Sequence, residues 1–141
     1  MCSPQRFISL RVWHPSLSPD EISQSLNMRP TRSWRVGERR TTPKGGMLDG
    51  TNKETYCVFD IDLDPAEVSG GLENFFAEVL DPREAAILAI GASAGRVEVF
   101  VSWEANVNVG DMFKCELLAR LVALRLSLAV EWFPQGDLID D

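Results

Sequence analysis

Residues 6–26 read RFISLRVWHPSLSPDEISQSL, and they decide the fold. In residues 6–14, Ile8, Leu10 and Val12 alternate with Phe7, Ser9, Arg11 and Trp13. A period of two is the mark of a half-buried strand. The pattern then changes. Ser18 can cap a helix, Pro19 suits its first position, and Glu21 completes the S-x-x-E capping box. Leu17 and Ile22 have the spacing of a hydrophobic staple, Ile22 and Leu26 form a narrow apolar stripe, and Arg29-Pro30 stops the helix. A strand followed at once by a capped helix opens a mixed α and β chain.

Working outward, TRSWRVGE predicts a short strand around residues 33–36, with Gly37 permitting a turn of positive φ. The stretch 38–54 is rich in Gly, Thr, Lys and Pro and reads as a long flexible loop. YCVFDIDLD (56–64) alternates again, with Cys57, Phe59, Ile61 and Leu63 on one face, and Pro65 ends it. Leu72, Phe75, Phe76, Val79 and Leu80 recur at helical spacing. Asp81-Pro82-Arg83-Glu84 reads as a second cap, opening a helix that runs to Gly91. RVEVFVSWE (96–104) is a strand with Val97, Val99, Val101 and Trp103 inward. Gly110-Asp111 is expected to cap a further helix carrying Phe113, Leu117, Leu118, Leu121 and Val122, and SLAVEWF (127–133) is the last strand. The tail 134–141 is acidic.

The expected order is therefore β-α-β-β-α-β-α-β. Several strands keep a polar face, so the solution is an α+β fold: one largely antiparallel sheet with helices packed on one face. Its first six elements match the ferredoxin-like order, with an extra α-β unit added. All 141 residues fit a single domain.

The segment LSPDEISQSLNMRPTRSWRVGE (17–38) and the terminal SLAVEW together resemble the bacterial domain of unknown function 4279 family. The matching residues are Pro19, Glu21, Ile22, Leu26, Pro30, Gly37, Glu38, Val130, Glu131 and Trp132. Asn27 stands where the pattern has Gly, and Trp132 where it has Tyr. The resemblance spans nearly the whole chain. It implies a small cytoplasmic bacterial domain and carries no catalytic residue.

Charge narrows the function classes. The net charge is −7, which disfavours a general nucleic-acid binder. The distribution is uneven: Arg29, Arg32, Arg35, Arg39, Arg40 and Lys44 lie within 16 residues against Glu38 alone, a local +5 that leaves −12 elsewhere. The three cysteines, Cys2, Cys57 and Cys115, make no CxxC pair, and no apolar leader or membrane span is visible, so a cytoplasmic setting is expected.

Catalytic signatures are missing. The one histidine, His14, precedes Pro15 at a strand end with no nucleophile motif to serve. The Gly pairs 45–46 and 70–71 lack a P-loop pattern, and GASAG (91–95) follows a helix where a phosphate loop would precede one. Asp60 and Asp62 share a strand face about 7 Å apart, but no Gly turn of a cation loop accompanies them. No cofactor or metal is expected. The rings on the outer sheet face, Trp13, Tyr56 and Phe100 with Phe7 and Phe133, point instead to a contact surface. Loop 38–54 folding over that face would be the alternative to an open one.

The expectation is a non-enzymatic protein-binding module of adaptor or immunity type, able to pair as a homodimer. Its contact residues would be Arg32, Trp34, Arg35 and Arg39 with Trp13, Tyr56 and Phe100. The competing expectation is a sensor or enzyme that holds a small anion in a pocket of Arg32, Trp34, Arg35 and Arg39.

Overall fold

Seven strands and the helices between them follow in chain order in a computed structural model, which describes residues 4–62 and 72–135. Strand β1 (Gln5–His14) leads to helix α1 (Pro19–Leu26). Ser18 Oγ accepts from the Glu21 amide at 3.1 Å, and Glu21 returns the bond to the Ser18 amide at 3.0 Å. The expected capping box is thus formed. Asn27 closes the helix in the left-handed region at φ 52°, a conformation that Asn tolerates better than most residues.

β2 (Arg32–Trp34), β3 (Arg39–Thr41), β4 (Met47–Thr51) and β5 (Thr55–Ile61) follow. Helix α2 (Leu72–Phe75) passes into a π turn (Phe76–Leu80) and a 3-10 turn (Asp81–Arg83) before α3 (Glu84–Ala92). β6 (Arg96–Glu104), α4 (Cys115–Ala123) and β7 (Leu126–Phe133) complete the chain.

The main sheet has the order β2-β5-β1-β6-β7. β2 pairs antiparallel with β5, β5 with β1, and β1 with β6. With β1, β2, β5 and β6 taken as its first to fourth strands, this is the ferredoxin-like arrangement. The α4-β7 unit then adds a strand parallel to β6 at the far edge. The fold is α+β with a mostly antiparallel sheet, as the sequence predicts.

One sheet face takes the described helices. Ile8, Leu10, Val12, Cys57, Phe59, Val97, Val99 and Val101 are buried there against Ile22 and Leu26 of α1, Phe75, Ile87, Ile90 and the α4 residues Leu117 and Leu121. Gly95 lies in the turn before β6. A Cβ on it would stand 2.6 Å from Ile90 Cγ2 and 2.9 Å from His14 Cδ2, so only glycine fits.

Three local expectations change. The stretch 38–54 holds a two-stranded ribbon, β3 against β4, and every residue of both strands is exposed. The ribbon continues the β2–β5 pair: the Gly37 amide donates to Asn52 O at 2.9 Å and the Asn52 amide to Glu38 O at 2.8 Å. Positive φ at Gly37 (85°) and Gly45 (89°) makes its turns possible. Gly110-Asp111 caps nothing, because α4 begins at Cys115 after Lys114; Asp111 instead takes Trp103 Nε1–H at 2.7 Å and the Arg6 guanidinium at 2.5 Å. Asp81 to Glu84 forms a tight turn with no side-chain cap, and Arg83 holds it. Its Nε donates to Leu26 O at 2.7 Å and its Nη1 to Val79 O at 2.9 Å, closing the carbonyl end of α1. Leu63 and the tail beyond Gln135 lie outside the described residues.

Candidate functional site

The sheet face opposite the helices is built by parity. Odd residues of β1 and even residues of β2, β5 and β6 point to it, because alternate side chains of a strand face opposite ways. Register then sets the rows. Trp34 lies opposite Tyr56, Tyr56 opposite Trp13, and Trp13 opposite Arg96. In the next row stand Arg32, Val58, Arg11 and Glu98, and beyond it Asp60, Ser9 and Phe100.

The first row is a continuous stack. Ring centroids of Trp34 and Tyr56 are 4.6 Å apart, and those of Tyr56 and Trp13 are 5.1 Å apart. Tilted pairs at this spacing attract beyond their simple burial. A guanidinium covers each end: Arg32 lies 5.3 Å from the Trp34 ring and Arg96 lies 4.6 Å from the Trp13 ring. Arg96 also reaches Glu54 at 3.0 Å. Tyr56 is buried between its neighbours, while Trp13 and Trp34 stay half-buried, each with part of its surface open. Burial holds the Tyr56 phenol above its ordinary pKa, against the opposing pull of Arg11 and Arg32. It remains a neutral hydrogen-bonding group at physiological pH.

A shallow depression of about 490 Å³ lies beside this stack. Ser9 and Ser102 form its buried floor. Arg11 lies 3.6 Å above the Phe100 ring and 3.7 Å from Glu98, and Asp60 and Asp62 form the opposite rim. The face is therefore graded along its strands: aromatic and cationic in the rows of Trp34 and Arg32, acidic toward Asp60 and Asp62.

Of the residues singled out in the sequence, Arg32, Trp34, Trp13 and Tyr56 come together, and Phe100 lies two rows along, under Arg11. Arg35 and Arg39 do not join them. Arg39 sits on the ribbon with its Nε donating to Leu48 O at 3.3 Å, and Arg35 is exposed at the ribbon base, where its carbonyl accepts from Asn52 Nδ2 at 2.9 Å. Arg96 was missed. Its even position on β6 gave the correct face, but only the β1–β6 register places it over Trp13.

Two other groups are accounted for structurally. The Cys57 thiol is pushed up to about 11 by burial alone, which makes it a core residue and a poor nucleophile. His14 is buried and fully hydrogen-bonded, with Nδ1 accepting from the Ser16 and Leu17 amides. Among the described residues no group of three or more His, Cys, Asp or Glu is placed to hold a metal ion. No described helix is long and apolar enough to cross a membrane.

A family model described as "Domain of unknown function (DUF4279)" matches residues 4–131. No curated protein and no solved structure shows significant similarity to the chain.

Proposed function

The chain belongs to the DUF4279 family, and on that footing we propose that it is a non-enzymatic protein-binding module whose contact surface is the helix-free face of its sheet. The carrying observation is the row Arg32/Trp34–Tyr56–Trp13–Arg96, in which large rings and guanidinium groups lie side by side on that face. Trp, Tyr and Arg are the residue types that most often dominate contact energy, since each combines area with directed polar contacts. No described helix packs on that side of the sheet, and every residue of β3 and β4 is exposed, which supports an open face. The cationic end suits an acidic segment of a partner.

The small-anion reading has less support. It needs Arg32, Arg35 and Arg39 to converge, whereas Arg32 stacks on Trp34 and Arg39 lies along the ribbon. An adaptor- or immunity-type role in a reducing cytoplasm fits the free thiols of Cys57 and Cys115.

The test is recovery of a partner from the native host by the wild-type chain, compared with Trp34→Ala and Arg32→Glu. Trp34→Ala should weaken binding by about 2 kcal/mol. Arg32→Glu should slow association in a salt-dependent way. If both variants bind as the wild type does, the face is not the contact surface. If Trp34→Ala lowers the melting temperature by many degrees, the ring row is a structural plug.

A further inference from the structure

The far edge of β7 presents eight residues of strand with which no other described strand pairs. Natural sheet edges are usually blunted by Pro, Lys, a bulge or a covering segment. Residues 126–133 read LSLAVEWF, with no Pro, Lys or Gly and a single charge, Glu131. Val130, Trp132 and Phe133 are 56%, 54% and 44% exposed, and Leu118 and Val122 on neighbouring α4 are exposed too.

The direction of the backbone groups on this edge can be read. The Ala105 amide donates to Phe133 O across the β6 side, at 3.0 Å. Successive residues of a strand alternate, so Ala129 and Glu131 also turn their amides and carbonyls toward β6. Those of Leu128, Val130 and Trp132 turn outward to the open edge.

We propose that this edge is where two copies of the chain join, β7 to β7 antiparallel about a two-fold axis at Ala129, so that one sheet runs through both. Pairing over the full strand, with outward groups bonded to outward groups, sets Val130 against Leu128, Trp132 against Leu126, and Glu131 against Ser127 of the other copy. Arg125, in the turn that enters β7 at φ 58°, then comes level with Phe133 and diagonal to Glu131 across the axis. Neither Arg125 nor Glu131 has an ion-pair partner among the described residues. The two-fold satisfies the pair twice over. An unrelated strand would bond the backbone but would not supply the reciprocal charges, and this selects a second copy as the occupant. The dimer leaves β2 and Trp34 at the opposite edge of the sheet, so it stands independently of the ring row.

The experiment combines sedimentation of the wild-type chain at tens of micromolar with oxidative crosslinking of Ala129→Cys in a Cys2→Ser, Cys115→Ser background. Ala129 would face its own copy in a non-hydrogen-bonded pair, at a Cα separation of about 4.5 Å that a disulfide spans. The expected results are a species of twice 15.7 kDa and rapid crosslinking at position 129, but not for Thr41→Cys on the ribbon. Val130→Pro removes an outward amide and should weaken association at least about 100-fold, while circular dichroism stays native. A wild-type chain that sediments only at 15.7 kDa overturns the proposal. So does a dimer that Val130→Pro leaves intact and Ala129→Cys fails to crosslink. Trp34→Ala should not change the sedimentation, which separates failure of this interface from failure of the outer-face reading.

Discussion

Ser93 Oγ lies 2.9 Å from His14 Nε2, the ring nitrogen that carries the proton. Nδ1 accepts from two amides, those of Ser16 at 3.1 Å and Leu17 at 3.0 Å, so the single ring proton sits on Nε2. Nε2–H donates to Ser93 Oγ, which donates onward to Ala89 O. The end of β1, the entry to α1 and the end of α3 are tied through one neutral imidazole. Burial holds its pKa below the ordinary 6.5, outweighing the Ser93 contact and the Glu21 charge that pull it up. Below pH 6.5 the unfolded chain therefore takes up more protons than the folded one. Stability falls as pH drops through that value and stops falling once the folded ring also titrates. Urea midpoints between pH 7.5 and 5 should show this slope. His14→Asn, whose side-chain oxygen can accept from the same amides, should lose most of it.

Arg83 spans α1 and the turn before α3 with three guanidinium–carbonyl bonds, to Leu26, Val79 and, at 3.4 Å, Asn27. Arg83→Ala leaves these carbonyls unpaired and should cost about 2 kcal/mol in denaturant unfolding. Arg83→Lys should recover less than half of that, because one ammonium cannot address three carbonyls in a plane.

Gly95→Ala should destabilise the domain by about 1–3 kcal/mol, because the new methyl group meets both Ile90 and His14. Thermal unfolding of Gly95→Ala alone, and combined with Ile90→Val, measures it. Because the Ile90 backbone oxygen would also stand 2.7 Å from the methyl, trimming the Ile90 side chain should relieve only part of the loss.

The ribbon should be cut first in limited trypsin digestion, at Arg39, Arg40, Lys44 or Lys53. Its strands are exposed on both faces, and an isolated two-stranded ribbon is marginally stable. Mass spectrometry of the earliest fragments checks this. First cleavage at Arg120 within α4 would contradict it.

What could be read from the sequence was what local chemistry determines. The Ser18–Glu21 box involves four consecutive residues, and strand 96–104 shows its faces because one side is buried. The ribbon was silent for the opposite reason: its strands bury nothing, so no hydrophobic alternation betrays them. Asp111 misled because a capping carboxylate and an ion-pair carboxylate look alike until Arg6, 105 positions away, is brought beside it. The candidate site was legible by face and not by row. Parity put Trp13, Tyr56 and Phe100 on one side. That Trp34 joins the stack and Arg96 closes its far end follows only from long-range register, which single-strand patterns do not encode.

At the ribbon base, the reciprocal bonds between Gly37, Glu38 and Asn52 hold the two ends of the hairpin together before any of its outer residues is reached. Whatever lies between those ends is topologically a detour. The β2–β5 pair closes without it, and lengthening it adds a closure cost that grows only with the logarithm of its length. Residues 42–46 are therefore the natural place to graft a foreign peptide, a fluorophore tag or a whole domain. Relatives of this chain are free to differ most in length there while keeping the same sheet.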